Sequence, residues 1–416
     1  MVEYFLMLSL LLHLYQPPFQ DKQTFKRIAE ESYVPLFRFL KANKNFKLTL
    51  NTPLSFLELL DNYGYETVLH DIHMLLERKQ IELVGSGASH PLLTRLPENI
   101  AEKEIILNEY GLGYYFGRKK GFEGENAILI NDVDGFFPPE LAVNSNLLSL
   151  LDELGYRWVL ADQTAVLDKE ASATYYFEEL SIKLMVRNTT LSNMMAFSRT
   201  SSVDGLKEAL YSTDNHLLAM DGETFGHHNK QGINLLYFLQ ETMSSLNILS
   251  GTYSEYLSNS TPRKLEGIVE STWSTVQSGE IESNTYPLWD SSTNQIQKLQ
   301  WELFNSVCSH YVSPEMNLQD DQYANRPIWN TKLVLEDIKD TQLINQVLTE
   351  VAFLKLLNSD QFFWTSGVTL PLGELLYDKV LIERSLDLYT NYLALNQNIV
   401  NTDANLEIIS RIKSLI

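Results

Sequence analysis

Cysteine and basic residues are both scarce in this chain. Cys308 is the only cysteine among 416 residues, so neither an internal disulfide nor a cysteine-based zinc site can form. We therefore expect a reducing compartment, the cytoplasm. Lys and Arg number 32 against 53 Asp and Glu, which gives a formal net charge of −21, and a surface of that sign repels phosphate backbones and anionic lipids. Nucleic acid and membranes are therefore not expected as partners.

Long apolar runs and several catalytic motifs are also missing. The apolar run Tyr4 to Leu12 is too short to span a bilayer, Glu3 stands where a signal peptide carries a basic residue, and no small-x-small cleavage motif follows. We interpret the run as a buried strand. The sequence has no Gly-x-Ser-x-Gly elbow and no phosphate-binding glycine loop. Nucleophilic serine chemistry and nucleotide binding are therefore not indicated.

The first two thirds of the chain alternate short apolar segments with longer helical patterns, which indicates parallel strands joined by crossover helices. Several segments are apolar throughout, as strands covered on both faces are. The predicted strands are Tyr4 to Leu12, Phe46 to Leu50, Ile81 to Gly85, Ala127 to Ile130, Trp158 to Ala161, Ile182 to Val186 and His216 to Met220. This pattern predicts an α/β fold, an irregular (β/α)7 barrel over residues 1–275.

From about residue 296 onward the strand signals stop. Long helical patterns take over at Gln297 to Val312, Thr331 to Leu357, Gly373 to Leu395 and Ala404 to Ile416. They predict a C-terminal α-helical domain, residues 276–416, that forms a bundle and contributes to the substrate cleft. The stretch Leu257 to Asn294 is rich in Ser, Thr, Gly and Asn, so we predict a long surface connection near the cleft.

Polar residues follow five of the seven predicted strands. Active sites of parallel α/β barrels lie at the carboxyl ends of the strands, so these residues are expected on one rim. They are His13 and Gln16 after the first strand, Asn51 after the second, Ser86 to His90 after the third, Asn131 to Glu140 after the fourth, and Asp221 to Glu223 after the seventh.

Glu140 is the first candidate for chemistry on this rim. Pro138 and Pro139 come directly before it, and two prolines stiffen the backbone that presents the carboxylate. This pattern favours a catalytic carboxylate. The alternative is an acid at a helix start that the helix dipole stabilises.

Asp221 is the second candidate, because it follows an apolar strand and opens the segment Asp221 to His228. Burial favours the protonated form of an acid, which a proton donor needs. The alternative is an aspartate that makes turn hydrogen bonds beside Gly222. Retaining glycosidases need two carboxyl groups about 5 Å apart, one as nucleophile and one as proton donor. Two acids on one rim can satisfy that requirement, and the 21 Tyr and 6 Trp suit a sugar-binding cleft.

Two other functions remain open. A metal-dependent carbohydrate deacetylase-like hydrolase would draw its ligands from Asp221 and the histidines His13, His70, His73, His90, His227 and His228. A non-catalytic protein would bind glucan without cleaving it. We expect no metal and no cofactor. Asn131 to Gly135 resembles the start of a calcium loop, but the later ligands are missing, so calcium is not expected.

Five segments together resemble the successive sequence regions of glycoside hydrolase family 57. They are Leu12 to Pro17, Glu82 to Leu93, Gly135 to Glu140, Asp221 to His228, and Asn358 to Trp364. The resemblance implies a seven-stranded α/β barrel followed by a helical bundle, a retaining mechanism, and α-glucans as substrates. Known activities of the family include α-amylase, 4-α-glucanotransferase, branching enzyme, amylopullulanase and α-galactosidase.

Carried over residue by residue, the resemblance makes Glu140 the nucleophile and Asp221 the acid/base. It implies substrate-binding positions at His13, Tyr15, Gln16, His90, Phe137, Glu223, His227, Asp360 and Trp364. Two of these depart from the family pattern, since Tyr15 and Phe137 stand where many members have His and Trp. The sugar, the linkage, the choice between hydrolysis, transfer and branching, and the oligomeric state are not fixed by the sequence.

Overall fold

The computed structural model describes residues 6–117, 133–167, 172–197, 203–229, 232–275, 284–312, 341–369, 373, 375–396 and 401–416. They form two compact units. The first consists of Met1–Gln16, Gln20–Ser86 and Leu129–Trp273, and the second of Pro17–Phe19, Gly87–Ile128 and Ser274–Ile416. The predicted strand Ala127 to Ile130 lies outside the described residues.

The first unit contains the strands, which make two sheets. One sheet has the order β3-β2-β1-β8, with β9 also paired to β1, and the other has the order β10-β6-β7-β5-β4. The strands are β1 Met7–His13, β2 Leu48–Asn51, β3 Ile81–Val84, β4 Gly135–Phe136, β5 Trp158–Ala161, β6 Thr174–Tyr176, β7 Lys183–Val186, β8 Leu217–Asp221, β9 Leu249–Gly251 and β10 Arg263–Lys264.

Seven of these strands, β1 to β5, β7 and β8, follow one another in ring order. All of their ladders are parallel. Between β3 and β4 the ring is joined by the bridge Gly85–Phe136. Between β7 and β8 the Asn215 side chain donates to Val186 O at 2.9 Å and Asn188 N donates to Leu217 O. The predicted α/β fold is confirmed, although no continuous ladder closes the ring among the described strands.

Apolar composition explains why the ring forms. Every residue of β1 after Met7 is buried, because the strand is covered on both faces. The side chains of Leu11, Trp158, Met185 and Leu217 belong to one core cluster. These strands therefore bury most of their side chains before any polar residue is reached at their carboxyl ends.

Gly135 shows how tightly this core is packed. A Cβ atom at this position would lie 2.0 Å from the ring of Trp158, which is fully buried. We expect Gly135→Ala to lower the free energy of unfolding by about 1–3 kcal/mol or more, since the indole would have to move. Thermal unfolding measures the loss. Gly267→Ala is the matched control because nothing lies within 4 Å of the added atom, and an equal loss in both variants would contradict this packing.

Helices cover the strands in the first unit. They are α1 Lys22–Ile28, α2 Val34–Ala42, α3 Leu54–Asn62, α4 Glu66–Glu77, α6 Ser145–Glu153, α7 Thr189–Ala196, α8 Leu206–Tyr211, α9 Gly232–Ser245 and α10 Tyr253–Asn259. A π-helical turn, Ala29–Tyr33, joins α1 to α2. The helix α4 carries His70 and His73, of which His70 is exposed and His73 half-buried.

The second unit is helical. Its helices are α5 Glu98–Phe116, α11 Gln295–Ser309, α12 Thr341–Leu356, α13 Asp360–Phe363, α14 Lys379–Leu395 and α15 Thr402–Leu415. The helix α11 packs on α15, and α12 packs on α14. The predicted C-terminal helical bundle is confirmed.

The segment 87–128 belongs to the second unit. Polar contacts within that unit explain the grouping, because Lys103 of α5 forms an ion pair with the buried Glu350 and Arg95 forms one with Asp290. The limits 1–275 and 276–416 and the contribution of the helices to the cleft stay predictions.

The predicted surface connection Leu257 to Asn294 is wrong for its middle part. Ser271 and Thr272 are fully buried. The backbone of Ser271 exchanges hydrogen bonds with Val143 at 2.9 and 3.1 Å, and Trp273 N donates to Glu140 O at 3.1 Å. A polar composition did not reveal this burial, because hydrogen bonds to Val143 satisfy the main chain of Ser271 inside the protein.

Candidate active site

The site in the first unit begins with the register of β1 and β8. These neighbours are parallel, and their last residues, His13 and Asp221, are paired. Strand pairing alone therefore brings the first predicted substrate residue beside the predicted acid/base. Asp221 is half-buried, and its side chain makes no capping hydrogen bond to the turn Gly222–Thr224.

The His13 ring links three strand ends. Its Nδ1 lies 2.6 Å from Oδ1 of Asn51, at the end of β2. Its ring stacks on that of Phe137, which follows β4, with 4.8 Å between the centroids, and on Tyr15 at 5.6 Å. Burial lowers the pKa of His13, against the opposing effects of Asp221 and Asn51. His13 is therefore a neutral, fixed imidazole at neutral pH.

Glu140 follows Phe137 by three residues, in the 3-10 turn Pro139–Leu141. Its backbone lies in the left-handed region, with φ 60° and ψ 15°, and its side chain is only 5% exposed. Residues other than glycine occupy this region at a cost of about 1–3 kcal/mol, and such residues cluster at functional sites. Glu140 lies four residues before Asn144, the N-cap of α6. It is therefore not an acid in the first turn of that helix, which was the alternative interpretation.

Trp273 packs beside His13, Phe137 and Glu140, and the sequence analysis did not predict it. Its indole packs edge-on against the rings of His13 and Phe137, with 6.5 and 6.3 Å between the ring centroids. The main-chain N–H of Trp273 donates a hydrogen bond to Glu140 O. The guanidinium of Arg187 lies 5.6 Å from the centre of the Trp273 ring. Trp273 therefore fixes both the aromatic stack and the backbone of Glu140.

Arg187 and Asp162, at the ends of β7 and β5, form a buried ion pair that was also missed. Nε of Arg187 lies 2.6 Å from Oδ2 of Asp162, and the two side chains are 5% and 1% exposed. Arg187 Nη1 also donates to Ala219 O at 2.9 Å. Removing one partner of such a pair leaves a buried charge without its counter-ion. The pair thus ties β5 and β7 to β8, two residues before Asp221.

Glu223 is a buried acid of this site, 4% exposed. Its Oε1 accepts hydrogen bonds from Gln16 Nε2 at 3.3 Å, from Tyr15 N at 3.3 Å and from Tyr33 Oη. Burial, and next the charge of Asp221, raise the pKa of Glu223 from its ordinary 4.5 to about 8, against the opposing hydrogen bonds from Tyr33 and Gln16. Glu223 is therefore mostly protonated at neutral pH.

A pH-dependent stability follows from Glu223. The folded protein holds the proton of the Glu223 carboxyl more tightly than the unfolded chain does. The stabilisation of the fold by this proton is therefore fully present below about pH 4.5 and is lost as the pH rises through about 8. At about 1.4 kcal/mol per pKa unit, the loss amounts to up to about 5 kcal/mol. The neutral amide of Glu223→Gln does not ionise and so does not lose this stability. We therefore expect the variant to gain thermal stability relative to the unsubstituted protein as the pH rises from 5 to 8.5.

Melting temperatures of both proteins across that range measure the effect. Glu266→Gln, which removes an acid whose side chain is 87% exposed, is the control and should show no such trend. A melting-temperature difference for Glu223→Gln that is independent of pH would contradict the raised pKa.

His227 is held by the π-helical turn. Its Nδ1 lies 2.7 Å from Oε2 of Glu31. Burial lowers the pKa of His227, while the hydrogen bond to Glu31 raises it.

Three predicted site residues, His90, Asp360 and Trp364, lie in the second unit. His90 is buried, has φ 61°, and places Nδ1 3.0 Å from Ser359 Oγ. Asp360 begins α13, and its carbonyl accepts from Trp364 N at 3.0 Å. Nε1 of Trp364 is buried and finds no hydrogen-bond acceptor among the residues that the structure describes.

The chain belongs to the family described as Glycosyl hydrolase family 57, whose model matches residues 4–270. It is 25% identical over 272 residues to a 4-alpha-glucanotransferase of Thermococcus litoralis, covering 61% of this chain and 39% of that protein. It is 26% identical over 271 residues to an alpha-amylase of Pyrococcus horikoshii, covering 61% and 40%. The chain thus spans about two fifths of the length of these curated relatives.

The fold is shared with a solved GH57-type branching enzyme of Pyrococcus horikoshii. The TM-score is 0.64 at 12% identity, and the match covers 99% of this chain and 94% of that one. At this identity the likeness concerns the fold alone. In the part of the chain that the structure describes, no helix combines the length and the hydropathy needed to cross a lipid bilayer.

Proposed function

We propose that this protein is a retaining enzyme that cleaves or transfers glycosidic bonds of α-glucans, with Glu140 as nucleophile and Asp221 as acid/base. One observation carries the proposal. The ring of His13, which is paired in register with Asp221, stacks on Phe137, three residues before Glu140. His13 is thus the sheet neighbour of Asp221 and the ring neighbour of the segment that leads to Glu140, which supports placing both acids on one rim.

The chemistry proceeds in two steps. In the first, the carboxylate of Glu140 attacks the anomeric carbon, and the proton of Asp221 moves to the glycosidic oxygen as the bond to the leaving sugar breaks. A covalent glycosyl ester on Glu140 results. In the second step Asp221 takes a proton from water or from a sugar hydroxyl, whose oxygen attacks the anomeric carbon and releases Glu140.

The surroundings suit this division of roles. Glu140 is presented from a backbone held by Pro138, Pro139 and the main chain of Trp273, so little movement is needed to reach the attacking position. Of the three stacked rings, Tyr15 is half-buried and can offer a flat surface to a sugar, whereas His13 and Phe137 are 3% and 0% exposed and support it from behind. We also propose the predicted substrate-binding roles for Gln16, Glu223, His227, His90, Asp360 and Trp364.

The substrate class is inferred from relatives. A 4-alpha-glucanotransferase and an alpha-amylase are both similar to this chain, which supports an α-glucan as substrate. The choice between water and a second glycan as acceptor depends on how well the acceptor site excludes water.

Product analysis tests the proposal. The protein is incubated with amylose, with maltooligosaccharides of a single length and with α-galactosides, and the products are separated by size. Shorter α-glucans alone indicate hydrolysis, and a ladder of shorter and longer ones indicates transfer; either supports the proposal. Unchanged substrates throughout, or activity that a chelator removes and zinc restores, would overturn it in favour of a glucan-binding protein or a metal-dependent hydrolase.

A further inference from the structure

The π-helical turn Ala29–Tyr33 is the least expected feature of the first unit. It interrupts two α-helices, and the backbone N–H of Val34 bonds to Ala29 O across it. Such insertions are rare and occur frequently at functional sites. A π-turn widens the helix, so consecutive side chains leave it in directions that an α-helix does not offer.

Three consecutive residues of this turn contact the loop that follows Asp221. Oε2 of Glu31 lies 2.7 Å from His227 Nδ1, Ser32 Oγ donates to Gly222 O at 2.9 Å, and Tyr33 Oη donates to Oε1 of Glu223. Ser32 and Tyr33 are fully buried. The turn therefore fixes the loop at both its start and its end.

Close backbone contact completes this attachment. At Gly226, whose φ is +140°, an added Cβ would lie 1.8 Å from the carbonyl oxygen of Glu31. Only glycine fits both the conformation and the space. Loop and turn are thus in direct contact as well as linked by side chains.

We propose that Tyr33 is a positioning residue for the acid/base, because it holds Glu223 and through it the loop that directly follows Asp221. The proposal rests on the assignment of Asp221 as acid/base. Tyr33 acts through Glu223 and is not itself assigned to contact the sugar. Its ring is seated by Phe56 at 4.9 Å and Phe25 at 6.1 Å, so its hydroxyl has one defined direction.

The groups that face Glu223 come from three elements. Tyr33 comes from the π-turn, Gln16 comes from the segment after β1, and Asp221 comes from the end of β8. The Tyr33 hydroxyl lowers the pKa of Glu223, and burial and the charge of Asp221 raise it. Losing that hydroxyl therefore raises the pKa of Glu223 further.

Tyr33→Phe tests the proposal, with Tyr253→Phe as the matched control. Both tyrosines are fully buried, and Tyr253 donates to Leu218 O of β8 at 3.0 Å without contacting Glu223. We expect Tyr33→Phe to lower kcat/KM on a maltooligosaccharide about 10- to 100-fold, mostly in kcat, as small displacements of a catalytic group do. The fall of the melting temperature with rising pH, which follows the titration of Glu223, should move to higher pH. Tyr253→Phe should lose thermal stability to a similar degree and show neither effect.

Hydrogen exchange of the loop separates this proposal from the proposed function. The amides of His227 and His228 donate to Glu223 O at 3.0 and 2.9 Å, and they should exchange faster in Tyr33→Phe than in Tyr253→Phe. If the unsubstituted protein has no glycosidase activity, the proposed function fails while the exchange result still decides the role of Tyr33. Equal exchange in both variants, or an unshifted pH dependence of the melting temperature with equal losses of kcat, would overturn the proposal.

Discussion

Replacement of Glu140 by glutamine is expected to lower kcat on every glycosyl substrate by about 10⁴-fold or more, the scale seen when a catalytic nucleophile is removed. An amide cannot form the glycosyl ester, since its oxygen is a weak nucleophile and carries no charge to offset the developing cation at the anomeric carbon. The side chain keeps its size, so the buried turn Pro139–Leu141 should be preserved. Kinetics with activated and natural substrates, together with the melting temperature, measure the two effects.

Glu82→Gln is the control for this prediction. Burial raises the pKa of Glu82, which lies on β3 and accepts from Thr49 Oγ1 at 3.2 Å and Ser254 N at 3.1 Å. Its loss should cost stability and leave kcat nearly unchanged. Similar activity in Glu140→Gln and the unsubstituted protein would remove Glu140 from the mechanism.

Asp221→Asn is expected to divide substrates by their leaving groups. On natural glucans the first step needs a proton, so kcat/KM should fall by about 10²- to 10⁴-fold, the usual contribution of general acid catalysis. On a glycosyl fluoride, whose leaving group needs no protonation, formation of the glycosyl ester should keep most of its rate. The second step then becomes slow because no base activates the acceptor, and a burst of fluoride should precede slow turnover.

Asp214→Asn provides the comparison for this variant. Asp214 is an exposed residue in the turn before β8, and its replacement should not discriminate between substrates. An equal loss on glycosyl fluoride and on glucan in Asp221→Asn would contradict the acid/base role and point to a structural one.

The sequence was informative about the strands because burial on both faces leaves a continuous apolar signal. The bounds of β5 are those predicted, and β1, β2, β3, β7 and β8 begin or end within three residues of the predicted limits. The short strands β4, β6, β9 and β10 were missed, because two or three residues carry too little periodicity to be detected.

The rule that polar residues at the ends of barrel strands form the site predicted only part of it. It was used after five strands and gave His13, Asn51, Glu140 and Asp221. The same rule applied to the strands β5 and β7 would have given Asp162 and Arg187, the buried ion pair next to β8. Both residues directly follow their strands in the sequence, so the rule predicts them as well.

Tyr33 and Trp273 could not have been found in that way. Tyr33 lies in a π-turn, which has no distinct sequence period, and it reaches Glu223 across 190 residues of chain. Trp273 lies in a polar connection, and only backbone pairing of the neighbouring Ser271 with Val143 brings it to Glu140. Contacts of this kind depend on tertiary packing, on which local patterns carry no information.

Trapping of the glycosyl–enzyme intermediate tests the central assignment most directly. The protein is treated with a fluorinated glycosyl fluoride of the glucose series, which forms the ester quickly and releases it slowly, and is then digested and analysed by mass spectrometry. We predict one added fluorosugar per chain, on Glu140, and none in Glu140→Gln. A fluorosugar on any other residue, or its absence from a protein that cleaves α-glucans, would contradict the assignment of Glu140 as the nucleophile.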